Sequence, residues 1–299
     1  MIMQLLIEFI GLLPLLLLVA IVTWRRWQLD RNDRRDPITT DLRSLPGSSL
    51  QEQIDKLVDS RMDKVVLALS AGLMTALLIA IRRIGTQIQS LDWLDAAILI
   101  TSVGTALYCA RQVTRDMPQQ RKLKQAIRAE HATAQELAAS LAGDNRIIHD
   151  VQAKEFNIDH VVITPAGVFA VKTKSRLKPP VGNGASAVKV KYDGRQLEFP
   201  GWSETKPLEQ ASRQARWLAN YLREASGERL PVFAVLALPG WFIENTVRIS
   251  DDMARVINPK KSQWLLLPKK RPILLDAAAI QRAAFAIEKL AQRNEAKDG

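Results

Sequence analysis

Cysteine is almost absent. Cys109 is the only one among 299 residues, and it sits inside an apolar run. An intrachain disulfide and a thiolate metal cluster are both excluded. The soluble part of the chain therefore fits a reducing cytosol. Histidine is scarce too. His131, His149 and His160 follow no zinc-binding spacing, and His149 and His160 are expected as hydrogen-bonded framework residues. The sequence has no glycine-rich phosphate loop and no Ser-His-Asp order. Acid is in deficit, with 31 Asp and Glu against 42 Lys and Arg, for a net charge of +11 and a pI near 9.9. Such a balance favours anionic partners, namely nucleic acid or the inner face of a membrane.

Long apolar runs are present, and they come first. Leu5 to Trp24 is interrupted only by Glu8 and Pro14, and Arg25 and Arg26 follow it. A cleaved signal peptide carries its positive charge before the apolar run, so an uncleaved anchor fits better. Val65 to Ile81 is a second run, and Leu91 to Ala110 a third, with Asp92 and Asp95 at its entrance. About 20 apolar residues span a bilayer, with a lower limit near 17. Three membrane helices are thus expected. The stretch between the first two carries six arginines from Arg25 to Arg43, and Arg111 to Lys124 is basic again. Basic flanks stay on the cytoplasmic side. The expected topology is an integral protein of a bacterial-type inner or plasma membrane, N-terminus outside and C-terminal domain cytoplasmic.

Beyond Pro118 the pattern changes to that of an α/β fold. Lys122 to Leu141 has a helical stripe. Arg146–Val151, Ile158–Thr164 and Gly167–Lys174 read as strands, and Val188–Tyr192 with Gln196–Phe199 as a hairpin around Asp193-Gly194. Pro207 to Glu224 is amphipathic. Val232 to Leu238 is continuously apolar, the mark of a strand covered on both faces. Gln263–Leu267 is a candidate last strand, and Asp276 caps a final helix running to about Gln292. This order gives helices on a mixed central sheet.

The turn Thr164-Pro165-Ala166-Gly167 fixes a register. If it closes a hairpin symmetrically, Ile163 opposes Val168, Val161 opposes Ala170 and Asp159 opposes Lys172, with Lys174 on the same face. Asp159, Lys172 and Lys174 should converge.

The run Asn157-Ile158-Asp159-His160, then Gly167-Val168-Phe169, then Lys172-Thr173-Lys174 resembles the nuclease-related domain (NERD) family, itself similar to the PD-(D/E)xK nucleases. The likeness extends from Ala129-Glu130 and His149-Asp150 to Tyr192-Asp193-Gly194, Phe199-Pro200-Gly201-Trp202, Pro207-Leu208-Glu209-Gln210-Ala211 and Leu238-Pro239-Gly240-Trp241-Phe242. It implies a restriction-endonuclease-like sheet flanked by helices. It implies a catalytic set of Glu130 and Asp159 as metal ligands, for Mg or Mn, with Lys174 orienting water or steadying phosphate. It also brings the helix bearing Gln210 and Gln214 against the site, where with Lys172 and Lys174 they could touch nucleic acid. The resulting domain plan has a first span at 1–24 and a basic linker with a surface helix at 25–63. A membrane hairpin follows at 64–110 (65–81 and 91–110), then a basic linker and helix start at 111–128. The nuclease-like domain occupies 129–245, and a C-terminal extension with a terminal helix 246–299.

One position departs from the family pattern. Lys172 stands where the second metal-binding acid belongs. The exchange changes the local charge by two units, and one unit at about 4 Å is on the order of 4 kcal/mol at an effective dielectric near 20. Magnesium is held by oxygen ligands, usually carboxylates. Lys172 is therefore expected to pair with Asp159 and fill the cation's place, unless Glu155, Asp150 or Glu136 supplies a displaced carboxylate. Three readings follow: a membrane-anchored protein binding DNA, RNA or nucleotide with hydrolysis weak or lost; an active metal-dependent nuclease using Glu130, Asp159 and Lys174; or a membrane scaffold recruiting a protein partner. Lys260-Lys261 and Lys269-Lys270-Arg271 are basic clusters suited to a phosphate backbone or anionic lipid. Trp202, Trp217, Trp241 and Trp264 are candidate stacking platforms, with core packing the competing role.

Overall fold

The computed structural model describes residues 13–30, 48–85, 92–140, 145–153, 155–179, 188–262 and 273–298. The chain divides into two compact units, Met1–Asp33 with Glu52–Leu123, and Arg34–Gln51 with Lys124–Gly299.

The first unit is helical. It contains α1 (Leu13–Asp30), nearly all of α2 (Ser48–Gly85) and the first part of α3 (Trp93–Ser140). Leu18, Ala68, Cys109 and Ala110 form a small buried cluster, and Lys64 pairs with Asp116 at 3.2 Å. Small residues at the contact let helix backbones approach. Most large apolar side chains point outward instead, among them Leu73, Leu77, Ile81, Trp93 and Ile100. Gln53–Ile81 and Trp93–Ser140 are the described helices long and apolar enough to cross a membrane. The first expected span begins outside the described residues, and the apolar segment Leu16–Arg25 within α1 is shorter than a crossing needs. Two candidate helices therefore stand where three were expected. The start of the third expected run, Leu91, also lies outside the described residues.

No linker separates the third apolar run from the helix expected at Lys122. Both belong to the continuous α3, with Pro118 inside it. A proline within a helix removes one hydrogen bond and costs roughly 3 kcal/mol. Val113, Met117 and Ile127 are buried on either side of it.

The second unit is the expected α/β sandwich. Its strands are β1 (Arg146–Gln152), β2 (Asn157–Thr164), β3 (Gly167–Thr173), β4 (Lys189–Tyr192), β5 (Leu197–Phe199), β6 (Trp202–Glu204), β7 (Val232–Ala237), β8 (Phe242–Asn245) and β9 (Arg255–Ile257). The helices are α4 (Lys206–Ser226), α5 (Ala277–Asp298) and a 3-10 turn at Pro259–Lys261. The main sheet has the order β1-β2-β3-β7-β9, antiparallel through β3 and parallel from β3 to β9. Continuously apolar β7 sits inside it, as a doubly covered strand should. One face packs on α4 and α5 through Val161, Ile163, Leu218, Leu222 and Ile280, and the other on Leu137 of α3 through Val162, Phe169 and Val235. A second sheet, β6-β5-β4-β8, packs through Tyr192, Leu197 and Trp241 on the start of α4.

The Asp276 carboxylate accepts from Ala279 N at 2.7 Å, making it the N-cap of α5. Strands β6, β8 and β9 had no sequence signal, because three or four residues are too few for a period to declare itself. The expected strand Gln263–Leu267, Trp264 and the cluster Lys269-Lys270-Arg271 lie outside the described residues.

Candidate functional site

The β2–β3 hairpin closes as its turn requires. Thr164 pairs with Gly167, Ile163 with Val168, Val161 with Ala170 and His160 with Val171. Proline at 165 bars the positive φ of the usual two-residue hairpin turn. Gly167 takes the strain at φ 127, and a Cβ there would lie 2.7 Å from the Phe233 ring.

One residue pair further along this register, Asp159 meets Lys172. The ammonium donates to Oδ1 at 2.5 Å, and Thr173 N donates to Oδ2 at 2.7 Å. Both carboxylate oxygens are thus engaged. The Asp159 side chain is fully buried and that of Lys172 is 11 % exposed. Burial raises the Asp159 carboxyl, and the nearby ammonium and N–H oppose that rise without cancelling it.

Glu130 reaches the same place from α3. Burial, then the charge of Asp159, push its carboxyl up to about 8, with Lys172, Asp150 and Lys174 also in range. It carries its proton at neutral pH. Lys174 follows β3, its backbone N–H bonded to Ala237 O at 2.9 Å. Burial and the neighbouring Lys172 lower its pKa. Glu130, Asp159, Lys172 and Lys174 therefore share one electrostatic site. Of the substitute acids, Asp150 enters this field, and Asn157 Nδ2 donates to its carboxylate. Asp150 sits at φ 53, a left-handed conformation that Asp tolerates. Glu155 is exposed and Glu136 half-buried, and neither is among the charges that act most strongly on Glu130.

A divalent ion does not fit this set as it stands. Its place on Asp159 is taken by an ammonium and an amide. Among the described residues no group of three or more His, Cys, Asp or Glu is placed to hold a metal.

Gln210 and Gln214 separate. Gln210 is half-buried, whereas Gln214 is 1 % exposed and donates to Asn157 O at 2.7 Å, pinning the start of β2. Position 214 falls on the stripe Leu208, Ala211, Ala215, Leu218, so the helical period already pointed it inward. His149 and His160 meet Nδ1 to Nδ1 at 2.8 Å, and the field of His131 reaches the buried His160, whose Nε2 finds no partner among the described residues. Burial keeps all three neutral, His160 well below its ordinary pKa. Three histidines from a helix and two strands thus gather where spacing had no means of placing them together. Trp241 is fully buried, Trp217 stacks on Tyr221, and Trp202, 37 % exposed, stacks on Phe199 at 4.7 Å.

Residues 125–239 match the family model of the nuclease-related domain, NERD. No curated protein and no solved structure matches the chain.

Proposed function

We propose that the chain is a membrane-anchored, nuclease-related protein whose cytoplasmic domain binds nucleic acid, with hydrolysis weak or lost. The observation that carries this reading is the buried Lys172–Asp159 ion pair at 2.5 Å, at the position where the resemblance implies a metal-binding acid. An ammonium there neutralises the site for an approaching phosphate but cannot polarise water as a metal does. Lys174 adds a second positive charge, and among the described residues its side chain has no hydrogen bond or ion pair. Phosphate attraction of this kind is strongly salt-dependent.

The anchoring rests on the first unit. A soluble core helix is mostly buried, whereas the apolar windows of α2 and α3 are 24 % and 28 % buried. Lipid suits such a surface better than water. The run Leu5 to Trp24 would supply the third crossing.

A second reading, an active Mg- or Mn-dependent nuclease, is favoured by the charges of Asp159 and Asp150 that act on Glu130. The full-length protein in detergent separates the two. Labelled single-stranded DNA, duplex DNA and RNA should shift in a gel at low salt, and cleavage with Mg, Mn or EDTA should be indistinguishable. No shift at low salt sinks the binding reading. Metal-dependent cleavage that Asp159→Ala abolishes establishes the second.

A further inference from the structure

We propose that the cleft beyond the carboxyl ends of β3, β7 and β9 is a subsite for an unpaired nucleobase and its phosphate, making single-stranded nucleic acid the ligand. This rests on the nucleic-acid reading above and names the ligand of that same site.

In open sheets with parallel strands, ligands bind outside the carboxyl ends of those strands. The cleft, about 430 Å³, is lined by the chain following all three: Lys178 after β3, Trp241 and Phe242 after β7, and Asn258 and Lys261 after β9. That volume lies in the range of small-molecule sites. Phe242 is 47 % exposed although it opens a strand. Lys261 Nζ lies 5.2 Å and Lys189 Nζ 5.7 Å from its ring centroid, and Lys178 Nζ lies 5.9 Å from the Trp241 ring. Lys189 is also held at 3.5 Å by Glu244, so Lys261 is the more available charge. An exposed aromatic face between ammonium groups is the pattern that stacks a base and holds its phosphate. Lys261 would exchange its ring contact for the phosphate as the base slides onto Phe242.

The cleft is tied to the ion-paired site by covalent chain. Lys172, Lys174, Arg176 and Lys178 are basic at every second position. At about 3.3 Å per extended residue they recur roughly every 7 Å. Arg176 is held bidentately by Glu204, at 2.8 and 2.7 Å, and its carbonyl accepts from Trp241 Nε1 at 3.0 Å. That anchors the segment against the cleft wall and leaves Lys174 and Lys178 on the two sides of Arg176. A duplex would keep its bases stacked and present none to Phe242, which argues for a single strand. A lipid headgroup would use the lysines but not the bounded aromatic face.

The test uses the full-length protein in neutral-lipid nanodiscs and a short fluorescein-labelled oligodeoxythymidylate, with duplex DNA and phosphatidylserine vesicles as companions. Phe242→Ala should weaken oligonucleotide binding roughly five- to 150-fold, the loss of one stacked base, and leave duplex binding unchanged. Phe242→Trp should restore it. Phe285→Ala, which removes an exposed phenylalanine of α5, should change nothing. Lys261→Gln should weaken binding and flatten its salt dependence, and this second variant decides if Phe242→Ala unfolds. Oligonucleotide binding indifferent to both Phe242→Ala and Lys261→Gln overturns the subsite alone. So does an equal loss for duplex, or a loss confined to vesicles. A wild type that binds no nucleic acid at low salt overturns the parent reading and this one together.

Discussion

The two units spend their apolar residues in opposite directions. In the α/β unit Leu218, Leu222, Val161 and Ile163 are wholly buried, and the charged side chains that do enter are paired or neutralised. In the helical unit Leu73, Leu77 and Ile81 lie open on the outer surface, and the buried cluster is a few small or medium residues. Water expels apolar surface from the first. The second makes sense where the solvent is itself apolar, because burial then gains nothing and only close packing holds helices together. Long apolar runs already mark the helical unit in the sequence; the direction of the side chains adds that it turns them outward.

The largest effect expected from this contrast is on the core. Leu218→Ala should cost about 2–5 kcal/mol, read as a lowered denaturation midpoint in detergent, while Leu73→Ala should stay within about 0.5 kcal/mol. Equal costs would mean that the helical unit also buries Leu73, and the two units would not differ in kind. Next come the ion pairs. Asp159→Ala strands a buried ammonium and should destabilise by about 3 kcal/mol, at the low end for buried pairs because Lys172 keeps some solvent contact. Asp116→Ala, which breaks the half-open Lys64 pair of the helical unit, should cost about 1 kcal/mol or less. Replacing Asp159 and Lys172 together with Leu and Met should recover most of the loss; failure to recover would mean that the site's shape, not its charge, was at stake.

Glu130 gives a smaller, pH-dependent effect. Its carboxyl is neutral in the fold up to about pH 8 but ionises near 4.5 when unfolded. The unfolded chain therefore loses this proton first, and stability falls as pH rises from about 4.5 to 8, then levels. Glu130→Gln should flatten that slope and stabilise the protein at pH 9 by about 2 kcal/mol, after allowing for the solvent that reaches the group. A slope unchanged in the variant would remove Glu130 from the buried cluster. The smallest effect belongs to the exposed Lys189–Glu244 pair. Its coupling in a double-mutant cycle should be below about 1 kcal/mol.

Much of this was legible in the chain, for reasons that differ residue by residue. The meeting of Asp159 with Lys172 follows from a two-residue turn, because a short loop leaves the register no freedom and side chains alternate strictly. The amphipathic α4 and the doubly buried β7 follow from period alone. Gln214 was legible in principle, since it lies on the apolar stripe, but its polar side chain suggested a contact to nucleic acid instead. Asp150 was placed beside Asp159 by the β1–β2 pairing, which no local signal sets. The first expected span is a different case, since the start of the run that suggested it falls outside the described residues.

The chain alone set whatever is local: the apolar runs, the hairpin register, the meeting of Asp159 with Lys172 that follows from it, and the net positive charge. Tertiary structure alone decided which distant groups meet. Glu130 joins Asp159 only because α3 lies across the sheet, three histidines gather only because a helix and two strands cross there, and the cleft at Phe242 exists only because three parallel strands end side by side. Contacts between residues far apart in the chain depend on loop closure and packing, which no short window of residues records.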